Sequence, residues 1–208
     1  MIPTKKEWIQ ALDDRHGIEF QKKISSTTVA VCGLGGLGSN IAISLARAGI
    51  GKLILIDFDK VDITNLHRQQ YKANQIGMCK TEALQNNLKE INPYLETKIH
   101  TICLDESNAK DVLADADIIC EAFDNAEAKA NIVNFVLSEM PDKYIVAASG
   151  MAGLDSANLI KTRKVSKRFY LCGDEVSDIK DGIGLVSIRV MLCAAHQAHT
   201  VLRIIAEE

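Results

Sequence analysis

The chain is poor in several things that would have narrowed its function at once. Only 5% of its 208 residues are aromatic and three are proline, which argues against a base-stacking surface and a proline-rich linker. Neither sign of charge dominates. With 24 Lys and Arg against 27 Asp and Glu the net charge is -3, and bulk electrostatics gives no reason to expect nucleic acid or an anionic membrane as partner. Long apolar runs are missing too: the most apolar stretches are broken by Arg47 and Lys52, and the opening MIPTKKEWIQALDDRHG lacks an apolar run before a small-residue cleavage site. Neither a membrane span nor a signal peptide is expected. Six cysteines at 32, 79, 103, 120, 172 and 193 are too scattered for a CxxC metal knuckle or a dense disulfide framework, so a reduced, cytoplasmic chain is expected.

What is present reads as one α/β domain. The chain is 47% hydrophobic and 25% charged, and after about residue 28 strand-like and helix-like patterns alternate, the mark of a mostly parallel sheet with helices on its faces. Short apolar runs predict strands over 29–32, 53–56, 97–104, 116–122 and 144–148, with two more near 157–163 and 168–172. Helical spacing predicts helices over 37–48, 80–92 and 185–206, and one beginning near Ala126. Residues 1–27 read as an amphipathic N-terminal helical arm, and 28–208 as a single domain.

Chemistry gathers at the predicted strand ends. GLGGLG at 33–38 follows a buried strand and opens a helix, the context that a nucleotide loop needs. Gly33, Gly35 and Gly36 let backbone approach a phosphate or sugar at a helix N-terminus, although a turn needed only for packing would read the same way. Asp57 closes the second strand, where a carboxylate can accept from ribose hydroxyls. These features alone suit a nicotinamide-dependent oxidoreductase. No GxxxxGK[ST] loop occurs.

The run DFDKVDITNLHRQQ at 57–70 is too polar for core and stands at a ligand-binding sheet edge. Arg68 can pair with phosphate oxygens, Asn65 and Gln69 add neutral donors, and Lys80 at the next helix start supplies a point charge; singly, each cation could be a solvated surface residue. Asp124-Asn125 ends the 116–122 strand. Asp124 can hold Mg²⁺, and either residue can cap the following helix.

The strand followed by GLGGLGS, the DxDxVxx[ST]NLxRQ run, the lysine after it and the strand-end Asp-Asn together resemble the adenylation domain of the ubiquitin-activating superfamily, in its bacterial ThiF and MoeB branch. RHG at 15–17, FYLCGDE at 169–175 and CAAHQAH at 193–199 resemble its compact ThiF-type group, which adenylates the sulfur carrier ThiS in thiamine thiazole synthesis. The resemblance implies a Rossmann-like three-layer fold with an antiparallel extension toward the C-terminus. It also implies ATP and Mg²⁺ as cofactors, a homodimer, and a ubiquitin-fold carrier ending in Gly-Gly as partner. That carrier's terminal carboxylate would attack the α-phosphorus of ATP. Alternatives are a MoaD-like carrier or a modified tRNA base, the acidic net charge weighing against the tRNA.

Carried over residue by residue, Arg68, Lys80 and Asp124 would be catalytic, with Asp124 on Mg²⁺. Gly33, Gly35, Gly36, Asp57, Asp59, Asn65, Gln69 and Asn125 would complete the nucleotide site. Arg15 would be a candidate to reach a partner subunit. The two CxxC pairs of larger members are missing, so no structural zinc is expected. Cys172 is the best-placed thiol for sulfur transfer, against the plainer reading of a buried thiol. The other five cysteines read as packing residues, and His196 and His199 as core or interface residues.

Overall fold

The computed structural model describes residues 2–207, the side chain of Asp181 excepted; Met1 and Glu208, the outer limits of the expected arm and domain, lie outside the described residues. Its strands are β1 (Thr28–Cys32), β2 (Lys52–Ile56), β3 (Glu96–His100), β4 (Ile118–Glu121), β5 (Tyr144–Ala148), β6 (Lys161–Lys164) and β7 (Phe169–Gly173). They form one seven-stranded sheet in the order β3-β2-β1-β4-β5-β7-β6. Every pairing is parallel except β6 with β7, so the expected antiparallel extension is present.

The helices are α1 (Lys5–His16), α2 (Ile18–Ser26), α3 (Gly36–Ala48), α4 (Lys80–Ile91), α5 (Ala109–Val112), α6 (Ala126–Glu139) and α7 (Ser187–Glu207). Alternation along the buried strands divides the core between them. Val29, Val31, Leu53 and Leu55 pack with Ile41 and Leu45 of α3, Leu84 of α4 and Val201 of α7. Ala30, Cys32, Ile54 and Ile56 face the other way, against Leu113 and against Ile132 and Val136 of α6. Each fully buried Leu or Ile contributes about 1.5–3 kcal/mol of transfer free energy, which explains why these strands are apolar on both faces.

Topology then positions the site. From β1 the chain steps outward to β2 and β3, then returns to lay β4 against β1's other side. The carboxyl ends of β1 and β4 therefore flank a topological switch point, where open α/β sheets leave a crevice for ligands.

Most boundaries differ from the sequence reading by a residue or two, and three differ by more. The strand expected over 97–104 stops at His100, because β3 is an edge strand whose sole partner, β2, ends at Ile56 opposite it. The strand expected over 157–163 begins only at Lys161, after a 3₁₀ turn over Ala157–Leu159 that Ser156 caps through the Asn158 N–H at 3.3 Å. Residues 5–26 form two helices broken at Gly17, whose φ is +83°. Helix α1 buries no residue, whereas Ile24 of α2 is fully buried in the core on the α3 and α7 side. Among the described residues no helix is long and apolar enough to cross a membrane.

Candidate functional site

The glycine loop contains glycines of two kinds. Gly33 ends β1 with φ +90°, and a Cβ there would lie 2.8 Å from the Ala122 carbonyl oxygen. A Cβ on Gly38 would lie 1.8 Å from the Gly33 carbonyl oxygen, so both positions are glycine because the fold requires it. Gly35 is different. Its nearest neighbour to a built Cβ is Gln69 Nε2 at 3.8 Å, an ordinary contact. As N-cap of α3 it offers no side chain to the first turn, whose N–H groups and positive dipole end are thereby left for an outside acceptor. A Cβ on Gly36 would press on Val190 at 2.9 Å and on Arg68 Cγ at 3.3 Å.

Two groups of side chains border this loop. In the first, Asp57 is 8% exposed at the end of β2. Its Oδ2 accepts from the Leu34 N–H at 2.6 Å and its Oδ1 from the Asp59 N–H at 2.8 Å. Burial pushes its pKa up, against the opposing pull of Lys80. Lys80, the first residue of α4, is 5% exposed; its Nζ donates to Asp59 Oδ2 at 2.6 Å and lies 3.9 Å from Asp57 Oδ2. The backbone places it there: the Lys80 N–H donates to the Asp59 carbonyl at 2.9 Å, beside a bridge between Lys60 and Cys79.

In the second group, Arg68 Nη2 donates to Asn65 Oδ1 at 3.0 Å. Partial burial lowers the Arg68 pKa, and the charge of Asp124 opposes that shift. Gln69 is buried, and its Oε1 has no hydrogen-bond partner. Asp124 is exposed, while Asn125 is committed locally as N-cap of α6, its Oδ1 accepting from the Ala128 N–H at 2.9 Å. Of the expected set, the loop glycines, Asp57, Asp59, Asn65, Arg68, Gln69, Lys80 and Asp124 thus converge on one sheet edge, and the Asn125 side chain serves the helix.

Sequence reasoning passed over the residues that hold this arrangement. Ser39 Oγ donates to the Gly35 carbonyl at 2.6 Å and accepts from the Gln70 N–H at 3.1 Å. Asn40 Nδ2 donates to the carbonyls of Gly36 at 2.6 Å and Arg68 at 3.2 Å, and its Oδ1 accepts from Gln70 Nε2 at 2.7 Å. Together they bolt the 65–70 run to the first turn of α3. Their signal was a Ser-Asn pair near the start of a largely apolar helix. Glu121, almost fully buried at the end of β4, accepts from Lys129 Nζ at 2.9 Å and from the Phe123 N–H at 2.7 Å, shaping the turn that leads to Asp124. Burial raises its pKa and Lys129 pulls it back. Its signal was a carboxylate ending an apolar strand, as at Asp57.

A cavity of about 440 Å³ opens beyond the carboxyl ends of β5 and β7, with Gly153, Asp155, Asp174, Ser177 and Gly184 in its wall. Hydrogen bonds link its wall to the 65–70 run: the Gly153 N–H donates to the Gly184 carbonyl at 2.7 Å, and His67 Nε2 lies 3.3 Å from the carbonyl oxygen of the next residue, Leu185.

Cys172, at the end of β7, is fully buried, and burial raises its thiol pKa; Thr162 Oγ1 lies 3.5 Å from its sulfur. Cys103 departs from the packing reading. It is exposed on a loop, while Cys32, Cys120 and Cys193 are buried. His196 is half-buried with Nδ1 3.0 Å from Thr162 Oγ1, His199 is exposed, and Arg15 lies exposed near the end of α1.

A side-chain-free helix N-terminus flanked by Arg68 and Lys80 has the donors to hold a polyanion, and Asp57 the acceptors for hydroxyl groups. Among the described residues no group of three or more His, Cys, Asp or Glu could hold a metal ion by itself. A divalent cation here would take oxygens of the bound anion besides Asp124, as Mg²⁺ commonly does.

Comparison with known proteins agrees with this architecture. Residues 10–208 match the model of the ThiF family. Over 121 residues the chain is 39% identical to the adenylyltransferase and sulfurtransferase MOCS3 of Caenorhabditis briggsae, covering 58% of this chain and 30% of that protein. It is 37% identical over 142 residues to ubiquitin-like modifier-activating enzyme 5 of the same organism, covering 63% of this chain and 33% of that one. The chain thus spans about a third of the length of these curated relatives. Among solved structures, Escherichia coli tRNA N6-threonylcarbamoyladenosine dehydratase, TcdA, in complex with ATP superposes with a TM-score of 0.87 at 18% identity, covering 100% of this chain and 98% of that one. E. coli MccB with ATP superposes at 0.69 and 22% identity, covering 90% and 58%. These two likenesses show the fold.

Proposed function

The chain belongs to the ThiF family, and on that premise we propose that it is an ATP-dependent adenylyltransferase. In this reading it activates the C-terminal glycine carboxylate of a small ubiquitin-fold sulfur carrier, ThiS-like, as an acyl-adenylate with release of pyrophosphate. The observation that carries the reading is the meeting, at the switch point, of the uncapped N-terminus of α3 with Arg68 and Lys80.

The chemistry needs little more. A carboxylate is already a nucleophile at neutral pH, so no general base is required; two anions must be aligned and the charge gathering at phosphorus stabilised. Asp57 takes the ribose hydroxyls. The unpartnered Oε1 of Gln69 accepts a donor from the nucleotide, Asn65 and Arg68 contact phosphates, and Lys80 supplies a point charge by leaving Asp59. Asp124 would hold Mg²⁺ together with phosphate oxygens, and the ion would offset phosphate charge. The cavity beside β5 and β7 receives the acceptor's end, and the protein works as a cytoplasmic homodimer.

Over 121 and 142 residues the chain is 39% and 37% identical to relatives named for adenylyl transfer and for modifier activation. That likeness and the net charge of -3 favour a protein acceptor over tRNA. Carrier-dependent ATP–pyrophosphate exchange tests the proposal, with purified ThiS-like and MoaD-like carriers, each with and without its terminal glycine. Exchange should require an intact Gly-Gly end and be strongest with the ThiS-like carrier. Tight NAD(H) binding without any exchange would move the chain to the oxidoreductases.

A further inference from the structure

Arg189 stands in the first turn of α7, 3% exposed. Its Nη2 donates to Asp174 Oδ2 at 2.6 Å, and its Nη1 to the Ser156 carbonyl at 3.1 Å and also to that of Asp155. Asp174 passes the connection on. Its Oδ1 accepts from the N–H groups of Val176 at 2.9 Å and Ser177 at 2.8 Å and from Ser177 Oγ at 3.0 Å, while Ser177 Oγ accepts from the Ala152 N–H at 3.0 Å. Gly150 lies against this carboxylate so closely that a Cβ would fall 2.0 Å from Oδ1. One buried guanidinium therefore ties the 150–156 segment, the 174–177 turn and α7 into a single unit.

Those segments supply walls of the 440 Å³ cavity, on which Gly153, Asp155, Asp174 and Ser177 lie. Stability alone explains the pair poorly, since well-packed apolar residues commonly replace a buried ion pair without loss. An apolar pair would fill the volume but could not hold two carbonyls and two amides in fixed directions.

We infer that Arg189, acting through Asp174, is a positioning residue for the acceptor, fixing the cavity in which the carrier's C-terminal segment lies while leaving nucleotide affinity alone. The inference rests on the adenylyltransferase reading above. Its partners Asp155, Ser156 and Asp174 lie in the segments that follow β5 and β7, whereas the glycine loop follows β1 and meets α7 at Val190.

The test measures carrier KM and kcat in pyrophosphate exchange, and ATP Kd by calorimetry, for wild type, Arg189→Met, Arg189→Lys and the double variant Arg189→Met/Asp174→Asn. The carrier is the Gly-Gly-ended one that the wild type uses best. Arg189→Met should raise carrier KM by about tenfold or more, with ATP Kd within about twofold of wild type. Arg189→Lys should fall between, because an ammonium keeps the charge toward Asp174 but lacks the planar fork that reaches both carbonyls. The double variant leaves neither charge buried alone, so it should fold even where Arg189→Met does not, and it should keep the raised KM. Unchanged KM in Arg189→Met, ATP Kd rising in step with KM, or wild-type KM in the double variant would each overturn the inference. A wild type that binds ATP yet exchanges with no carrier would instead overturn the proposed function.

Discussion

Gly35→Ala separates a glycine kept for a ligand from glycines kept for the fold. Its φ of -75° carries no left-handed strain, and the added methyl would meet only Gln69 Nε2 at 3.8 Å. Exchanging glycine for alanine at an N-cap costs up to about 1 kcal/mol, partly offset by the lower entropy of the unfolded chain. The melting temperature should therefore fall by no more than about 3 °C for a chain of this size. Ligand affinity should respond far more. A methyl placed where backbone and phosphate approach costs about 1–3 kcal/mol as overpacking does, a loss of about five- to 150-fold in ATP Kd. Gly38→Ala is the control, because its Cβ would overlap the Gly33 carbonyl oxygen at 1.8 Å and disturb the fold itself. Calorimetric titration with ATP, beside thermal unfolding of both variants, reads the difference. Wild-type ATP affinity in Gly35→Ala, or equal destabilisation of the two variants, would refute the reasoning.

Other consequences can be checked as directly. Arg68→Gln and Asp124→Asn should each reduce carrier-dependent exchange by at least about a hundredfold while melting close to wild type, since both residues are incompletely buried; full activity in both would remove the site assignment. Burial alone would raise the Asp174 pKa, but hydrogen bonds from the Ser177 and Val176 amides, the Ser177 hydroxyl and Arg189 outweigh it and hold the carboxyl at about 2, against 3.8 when free. A lowered acid pKa stabilises the native state above the unfolded value. Asp174 should therefore contribute about 1–2 kcal/mol, after solvent screening, that disappears as pH falls from 4 toward 2; urea titrations over that range should show the step in wild type and not in Asp174→Asn. Native-state alkylation followed by peptide mass spectrometry should label Cys103 first and leave Cys32, Cys120, Cys172 and Cys193 unmodified until unfolding. Rapid labelling of Cys172 would show that its pocket opens.

The sequence displayed most of the frame because parallel strands buried on both faces are short and apolar, so that a charged residue just beyond one stands out. Asp57 and Asp124 were legible for that reason, and Arg68 and Lys80 by their place in a polar run and at the next helix start. Their fastenings were not. Ser39, Asn40 and Gln70 act through contacts bridging residues 35–40 and 65–70, and no periodicity reports such pairings. Arg189 and Asp174 are 15 residues apart, and no spacing pairs them; only the fold closes them into a buried pair. Strand lengths at the edges were misjudged where pairing decides them, as for β3, which ends with β2.

The central claim is that this chain joins AMP to a terminal carboxylate. Incubating the protein with ATP, Mg²⁺, hydroxylamine and a Gly-Gly-ended carrier, then analysing the carrier by intact mass and peptide sequencing, reads that bond directly. The account predicts a hydroxamate at the carrier's terminal glycine, formed only with ATP and matched by released AMP and pyrophosphate. An unmodified carrier under conditions where calorimetry shows ATP bound, for ThiS-like and MoaD-like carriers alike, would contradict it.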